Sequence, residues 1–339
     1  MVLIILKYAS LSAAVLVGVY ASLLGMLSKS FCQAHVVYLH GLQMTWFKDL
    51  NVPELFGFLH NQVSPFSITT LDGETLYAWH ILPLGLYRKH EAALVAEPLG
   101  FALDITSRLS FRLLRNDPEA RLVIHFHGAG GTGLINDALA VIEWATTVAG
   151  ISPSKIIFAQ SMGTASPPVV FAGTILVAPF VDVGTLVSTY KIAGTIPLLT
   201  PIARFPSAFA YLRSLISDKW LSKDRIAGYV TANEANGESY KLTIMHAEDD
   251  WDIPYHHSQL LFWHAVNATA SQELSYEDLE VQKYKAKVNL GAAGSVMEWQ
   301  TEVGIIREEI LQTGLHDVIM GYPVITMAVM RMFEAVDHA

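Results

Sequence analysis

The chain has 339 residues, enough for one large α/β domain with appendages. Charged residues make up 16%, mean hydropathy is +0.36 and net charge is −9; with no basic block, these values exclude a nucleic-acid binder. A single cysteine, Cys32, excludes an intrachain disulfide framework and a Cys-based zinc site.

From Tyr8 to Ser28 no residue is charged, with Lys7 and Lys29 as flanks. That length suits a helix crossing the bilayer core, so residues 1–29 are expected to form a retained membrane anchor. A cleaved signal peptide is the alternative, but the apolar stretch is long for one and no A-x-A site follows it cleanly. One lysine on each side leaves the orientation open. The sequon Asn267-Ala268-Thr269 points weakly to a lumenal body.

Residues 30–66 read as an aromatic-rich connecting segment, and 67–339 as an α/β domain. Phe66 to Leu71, Asp72-Gly73 and Leu76 to Pro83 predict a β-hairpin with a tight Asp-Gly turn. Arg121 to His127 is a short strand ending in Gly128-Ala129-Gly130-Gly131-Thr132, and Leu134 to Val148 has helical spacing up to Gly150. Strands are expected at Ile156-Ile157-Phe158, at Thr174 to Pro179 and at Lys241 to His246. Residues 184–237, mostly helical in character and carrying Pro197, Pro201 and Pro206, read as an inserted cap. A helix is expected over 254–266, a charged and Gly-containing excursion over 270–296, a last strand at 297–301 and a closing helix from Gly321 to Ala335. Strands alternating with helices predict a mostly parallel α/β sheet.

Ser161 sits in Ala159-Gln160-Ser161-Met162-Gly163, directly after an apolar strand. It reads as the nucleophile elbow of an α/β-hydrolase, with Ala in place of the first Gly of G-x-S-x-G. A serine hydroxyl needs a histidine to take its proton and an acid to orient that histidine. The strand before His127-Gly128-Ala129-Gly130 resembles the one that leads into an oxyanion loop, which would use the Ala129 and Met162 N–H groups. Gly163 keeps the elbow tight, while His125 and His127, on one side of their strand, lack an obvious third metal ligand. For the acid, Asp249, Asp250 and Asp252 compete; aligning Ile253-Pro254 with the Val-Pro of G-x-x-D-x-x-V-P selects Asp250. The base must follow the acid in the chain, and His316 lies between the expected last strand and the closing helix. No cofactor or metal is called for.

Trp79 to Pro83, His125 to Thr132, Gln160 to Thr164, His246 to Pro254 and Gly314 to Asp317 together resemble the membrane-anchored, abhydrolase domain-containing protein twelve-like branch of the α/β-hydrolases, especially its fungal relatives. The resemblance covers most of 60–335. It implies an α/β-hydrolase fold with a helical cap, and a serine lipase or lysophospholipase cleaving acyl esters of monoacylglycerols or lysophospholipids at an internal membrane such as the endoplasmic reticulum. Two departures stand out. Gly128 and Ser161 are too close in sequence to hold the helix and strand of the family pattern, and Pro167-Pro168 blocks the helix that follows the nucleophile. Both gaps are flanked by intact motifs, as excised coding segments would leave them. The core is thus expected to lack one strand and the post-nucleophile helix. The alternatives to a lipid esterase are a catalytically impaired shell acting as a membrane-tethered binding protein, and a peptidase of the same fold.

Overall fold

The structure, a computed structural model, describes every residue except 1, 39–44, 46, 47, 127–133, 161–170, 193, 194, 198, 271, 317 and 335–339. It begins with helix α1 (Val2–Leu27) and the short α2 (Ser30–Tyr38). α1 contains the one described helix long and apolar enough to cross a membrane, Ile4–Leu27.

Strands β1 (Val63–Thr69) and β2 (Thr75–Ile81) pair antiparallel from Val63↔Ile81 to Thr69↔Thr75. The turn is longer than the two-residue Asp-Gly turn expected. The Gly73 N–H bonds to the Thr70 carbonyl at 3.0 Å, and Gly73 then takes φ +85°, so a three-residue loop closes the hairpin. The first strand also starts inside what reads as connecting segment. This hairpin forms a sheet of its own. Helices α3 (Leu84–Val95) and α4 (Leu109–Arg115) follow it.

The main sheet is built from β3 (Leu122–Phe126), β4 (Ile156–Gln160), β5 (Gly173–Val177), β8 (Tyr240–Ala247), β9 (Val288–Asn289), β10 (Ser295–Gln300) and β11 (Gly304–Leu311). Between β5 and β8 lie α6 (Val183–Thr189), the small pair β6 (Lys191–Ile192) and β7 (Ile196–Pro197), α7 (Thr200–Ala203), α8 (Pro206–Ser214) and α9 (Ser222–Asn236). The order across the main sheet is β3-β4-β5-β8-β11-β10-β9; the first five are parallel, β10 pairs antiparallel with β11, and the two-residue β9 pairs antiparallel with β10.

Helix α5 (Leu134–Thr147) links β3 to β4. It buries Ala138, Ile142 and Ala145 against Ile124 and Ile156, while Ala140 and Trp144 meet Phe66 of the hairpin. On β8, Leu242 and Ile244 join the core under α9 and α10 (His256–Asn267), whereas Met245 and Ala247 join the core under α12 (Pro323–Glu334). Alternate side chains therefore meet helices on opposite faces, and the strand reads as an unbroken apolar run. This is the α/β-hydrolase arrangement: a mostly parallel sheet covered on both faces, with helices inserted after β5.

Two further expectations are corrected. The last strand is β11, beyond the expected 297–301, and it lies between β8 and β10. The excursion over 270–296 contains a helix, α11 (Tyr276–Ala286). The shortened stretch between Gly128 and Ser161 leaves no gap in the ladder, because β3 pairs directly with β4 from Leu122↔Ile156 to Phe126↔Gln160.

Candidate active site

Parallel pairing of β8 with β11, ending at Ala247↔Leu311, brings the loops after both strands together at one edge of the sheet. Asp250 lies in the first loop, 5% exposed. Its Oδ1 accepts the backbone N–H groups of Asp252 and Ile253, each at 2.9 Å. Its Oδ2 accepts two ring nitrogens, His316 Nδ1 at 2.9 Å and His246 Nε2 at 3.0 Å. Burial alone would push the carboxyl up. The hydrogen bonds from His246, His316 and the Ile253 N–H outweigh it and hold Asp250 well below the ordinary carboxylate range. Asp250 is therefore a fixed anion. Of the three competing aspartates, it alone is both buried and bonded to a histidine ring among the described residues.

His316 is held twice. Its ring donates Nδ1–H to Asp250, which leaves Nε2 as the nitrogen able to take a proton; the side chain is 24% exposed. Its loop is pinned by Asp249, whose Oδ1 accepts the N–H groups of Gly314 and Leu315 at 2.8 and 2.9 Å. Leu315 has φ +50°, a left-handed conformation that these two bonds help hold. A side chain at Gly314 would be tight, since a Cβ there would lie 3.0 Å from the Ala247 Cβ and 3.2 Å from the Ile319 Cβ, and its neighbours would have to give by a few tenths of an ångström. Adjacent aspartates thus divide the work: Asp249 fixes the backbone of the His316 loop and Asp250 fixes the ring.

Sequence reasoning missed a second layer. His246 is the seventh residue of β8 and shares the face of Leu242 and Ile244, under α10. Its Nε2–H is shared between Asp250 Oδ2 and the Ile253 carbonyl at 2.8 Å, so its Nδ1 accepts from Ser258 Oγ at 2.6 Å. His246 and Ser258 are fully buried. The available signal was His246 at even parity in a strand, four residues before the chosen acid. Beside them, His257 takes a backbone N–H from Val181 on Nδ1 at 3.3 Å and meets Thr189 Oγ1 through Nε2 at 3.0 Å. Burial, then the neighbouring His246 and His256, push its pKa down to about 4.

The remaining predicted site residues, His127, Gly128, Ala129, Gly130, Ser161, Met162 and Gly163, lie outside the described residues. What the structure gives is the ends of their strands. β3 and β4 stop side by side at Phe126↔Gln160, and Gln160 is level with Leu176 and, through it, with Ile244 and Glu308. Both strands end at the sheet edge that carries Asp250 and His316. Among the described residues no group of three or more His, Cys, Asp or Glu side chains is placed to hold a metal ion.

No family model matches the chain, and no curated protein matches it in sequence. Among solved structures it is similar to the Pyrococcus furiosus esterase Pf2001, at 11% identity and a TM-score of 0.38, covering 84% of this chain and 95% of that one. It is also similar to the acylaminoacyl peptidase of Pyrococcus horikoshii, at 10% identity and a TM-score of 0.39 over 80% of this chain and 40% of that one. Oligopeptidase B from Leishmania major follows at 11% and 0.35, over 75% and 33%. At these identities and scores the likenesses bear on neither activity nor substrate.

Proposed function

We propose that the chain is a membrane-anchored serine hydrolase that cleaves acyl esters of lipid-like substrates such as monoacylglycerols or lysophospholipids. The observation that carries this reading is the Asp250 Oδ2–His316 Nδ1 bond of 2.9 Å, formed at the C-terminal edge of a parallel sheet by residues in the order serine, acid, histidine.

In the proposed reaction Ser161 attacks the acyl carbonyl carbon while His316 Nε2 takes its proton. The resulting oxyanion is held by the N–H groups of Ala129 and Met162. Protonated His316 gives that proton to the departing alcohol, leaving an acyl-enzyme on Ser161. Water then attacks the acyl-enzyme while giving a proton to His316, which returns it to Ser161 Oγ as the fatty acid is released. Asp250, ionised throughout, keeps His316 in the Nδ1–H tautomer and stabilises its charged form. His127, Gly128, Gly130 and Gly163 support the two loops. This chemistry draws on no metal or cofactor.

Lipid-like substrates are favoured by the apolar helix α1 and by the family resemblance, which also favours a single-pass location in the endoplasmic reticulum or another endomembrane. The test is labelling of the full, folded chain by a fluorophosphonate probe. We expect labelling that Ser161→Ala abolishes, together with hydrolysis of monoacylglycerol or lysophospholipid. A folded protein that takes no label, with an intact cooperative thermal transition, would overturn the enzymatic reading in favour of a binding shell.

A further inference from the structure

The last two turns of α1 do not stand clear of the rest of the protein. Residues 4–19 of α1 are exposed throughout, but Tyr20, Leu24 and Leu27 are half-buried, a stripe at helical spacing on one side. The Tyr20 hydroxyl shares a hydrogen bond with the Ile202 backbone in α7. At the top of α1, the Gln33 amide donates to the carbonyls of Leu27 and Leu215, each at 2.8 Å, and its oxygen accepts the Ser217 N–H at 3.0 Å. The anchor helix is therefore tied to both ends of the α7–α8 corner.

That tie sets a depth. Tyr20 lies seven residues, about 10 Å, back along the helix from Leu27, the end of the apolar span. Once α1 crosses a bilayer, whatever touches Tyr20 sits below the headgroups. The corner is built for that place. Between Asp182 and Asp218 there is no acidic residue, and Lys191, Arg204 and Arg213 are the only charges, although the chain as a whole carries −9. Phe205 and Tyr211 are exposed, at 64% and 65%. The corner's N–H groups are largely spent internally, from Ile202 and Ala203 to Leu199, from Phe205 to Ile202 and from Phe209 to Phe205. Pro201 and Pro206, each in the first turn of its helix, have no N–H to orphan. Arg213 turns toward Asp182 of the body, which leaves Arg204 to reach the headgroup layer.

We propose that the α7–α8 corner is a membrane-docking surface, with Phe205 and Tyr211 seated in the interfacial layer of the bilayer that α1 spans and Arg204 among anionic headgroups. The proposal rests on α1 being the anchor and is independent of the hydrolase chemistry. Its site is the outer face of an amphipathic element, at the shallow depth such elements occupy. The same corner continues through Ile216 and Trp220 into the cluster that buries Ile253 of the acid loop, so the docked surface is mechanically joined to the candidate active site.

The experiment uses the full chain in vesicles of phosphatidylcholine with a minor share of phosphatidylglycerol. In a Cys32→Ser background, an environment-sensitive fluorophore is attached at Phe205→Cys, Tyr211→Cys, Val15→Cys or Tyr284→Cys, the last being 90% exposed on α11. We expect phosphatidylcholine spin-labelled just below its headgroup to quench positions 205 and 211 several-fold more than 284, and aqueous iodide to quench 284 several-fold more than 205 and 211. Quenching of 205 and 211 that matches 284, while 15 is shielded from iodide, overturns the proposal and leaves the anchor standing. Iodide reaching position 15 as well removes the anchor and the proposal with it. Two independent corner positions guard against a local folding loss at either. Fluorophosphonate labelling of the same samples reports the hydrolase reading separately.

Discussion

Asp250 has two sides, and they carry the same chemistry to different ends. On the open side its Oδ2 receives His316; on the closed side the same oxygen receives His246, which in turn receives a hydroxyl proton from Ser258. Ser258, His246 and Asp250 are thus a serine, a histidine and an acid in hydrogen-bonded sequence, at 2.6 and 3.0 Å. They cannot turn over a substrate. Ser258 and His246 are fully buried, and the serine donates its proton in a fixed bond instead of facing a cavity. His316, with 24% of its side chain exposed, is the more accessible of the two histidines. Residue type and spacing do not distinguish the two sides of Asp250; burial does. The closed side gives Asp250 one of its four hydrogen bonds, which fixes the carboxylate that the open side uses.

The sharpest way to break this contrast is to remove each histidine in turn. His316→Ala is expected to lower turnover by roughly 10³- to 10⁴-fold, the usual scale for a lost triad member, with the smaller loss of stability of the two, because water can replace the donor of a 24%-exposed ring. His246→Gln should do the reverse, lowering stability by about 3 kcal/mol because a buried carboxylate loses a donor and Ser258 loses its acceptor. Its turnover should fall far less than that of His316→Ala. Paired measurements of kcat and Tm decide the matter. If His246→Gln were the more damaging to turnover in a folded protein, the assignment of the two sides would be wrong.

A third buried histidine tests the same contrast by pH. His257 has a folded-state pKa near 4, below the usual histidine value of 6.5. The unfolded chain therefore binds a proton there that the folded chain refuses, and stability present above pH 6.5 is lost as pH falls toward 4. The loss should reach about 2 kcal/mol near pH 5, and His257→Phe should flatten the stability curve between those limits. His80, likewise lowered to about 4 by burial, keeps the flattening partial. Urea unfolding at several pH values measures it; an unchanged slope would show that His257 is charged or exposed in the folded state.

Much of this was legible because it is local. The β4 segment is bounded by Pro153 and the elbow motif, and Asp250 was selectable from Ile253-Pro254 behind it. His316 was reachable from chain order alone. β11 was not, since Arg307-Glu308-Glu309 breaks its apolar pattern. Those charges are tolerated through partners on other elements: Glu308 with Lys283 at 2.7 Å, Arg307 with Glu298 across the β10–β11 pair, and Glu309 with Arg331. For the same reason α11, which brings Lys283, reads as a charged excursion. His246 and Ser258 escaped because their role depends on a helix packing over a strand.

The smallest predicted effect is the most discriminating. Ser258→Ala removes the hydroxyl that donates to His246 Nδ1 and leaves a buried acceptor unsatisfied, which should cost about 1 to 2 kcal/mol of stability. His246 still donates Nε2–H to Asp250 and Ile253, so the carboxylate keeps its four donors and His316 its orientation. Fluorophosphonate labelling should therefore persist in Ser258→Ala and vanish in Ser161→Ala. The opposite pattern would make Ser258 the nucleophile. That in turn would require α10 to move off the sheet, because Ser258, His257, Leu261 and Phe262 are all buried there in the folded protein.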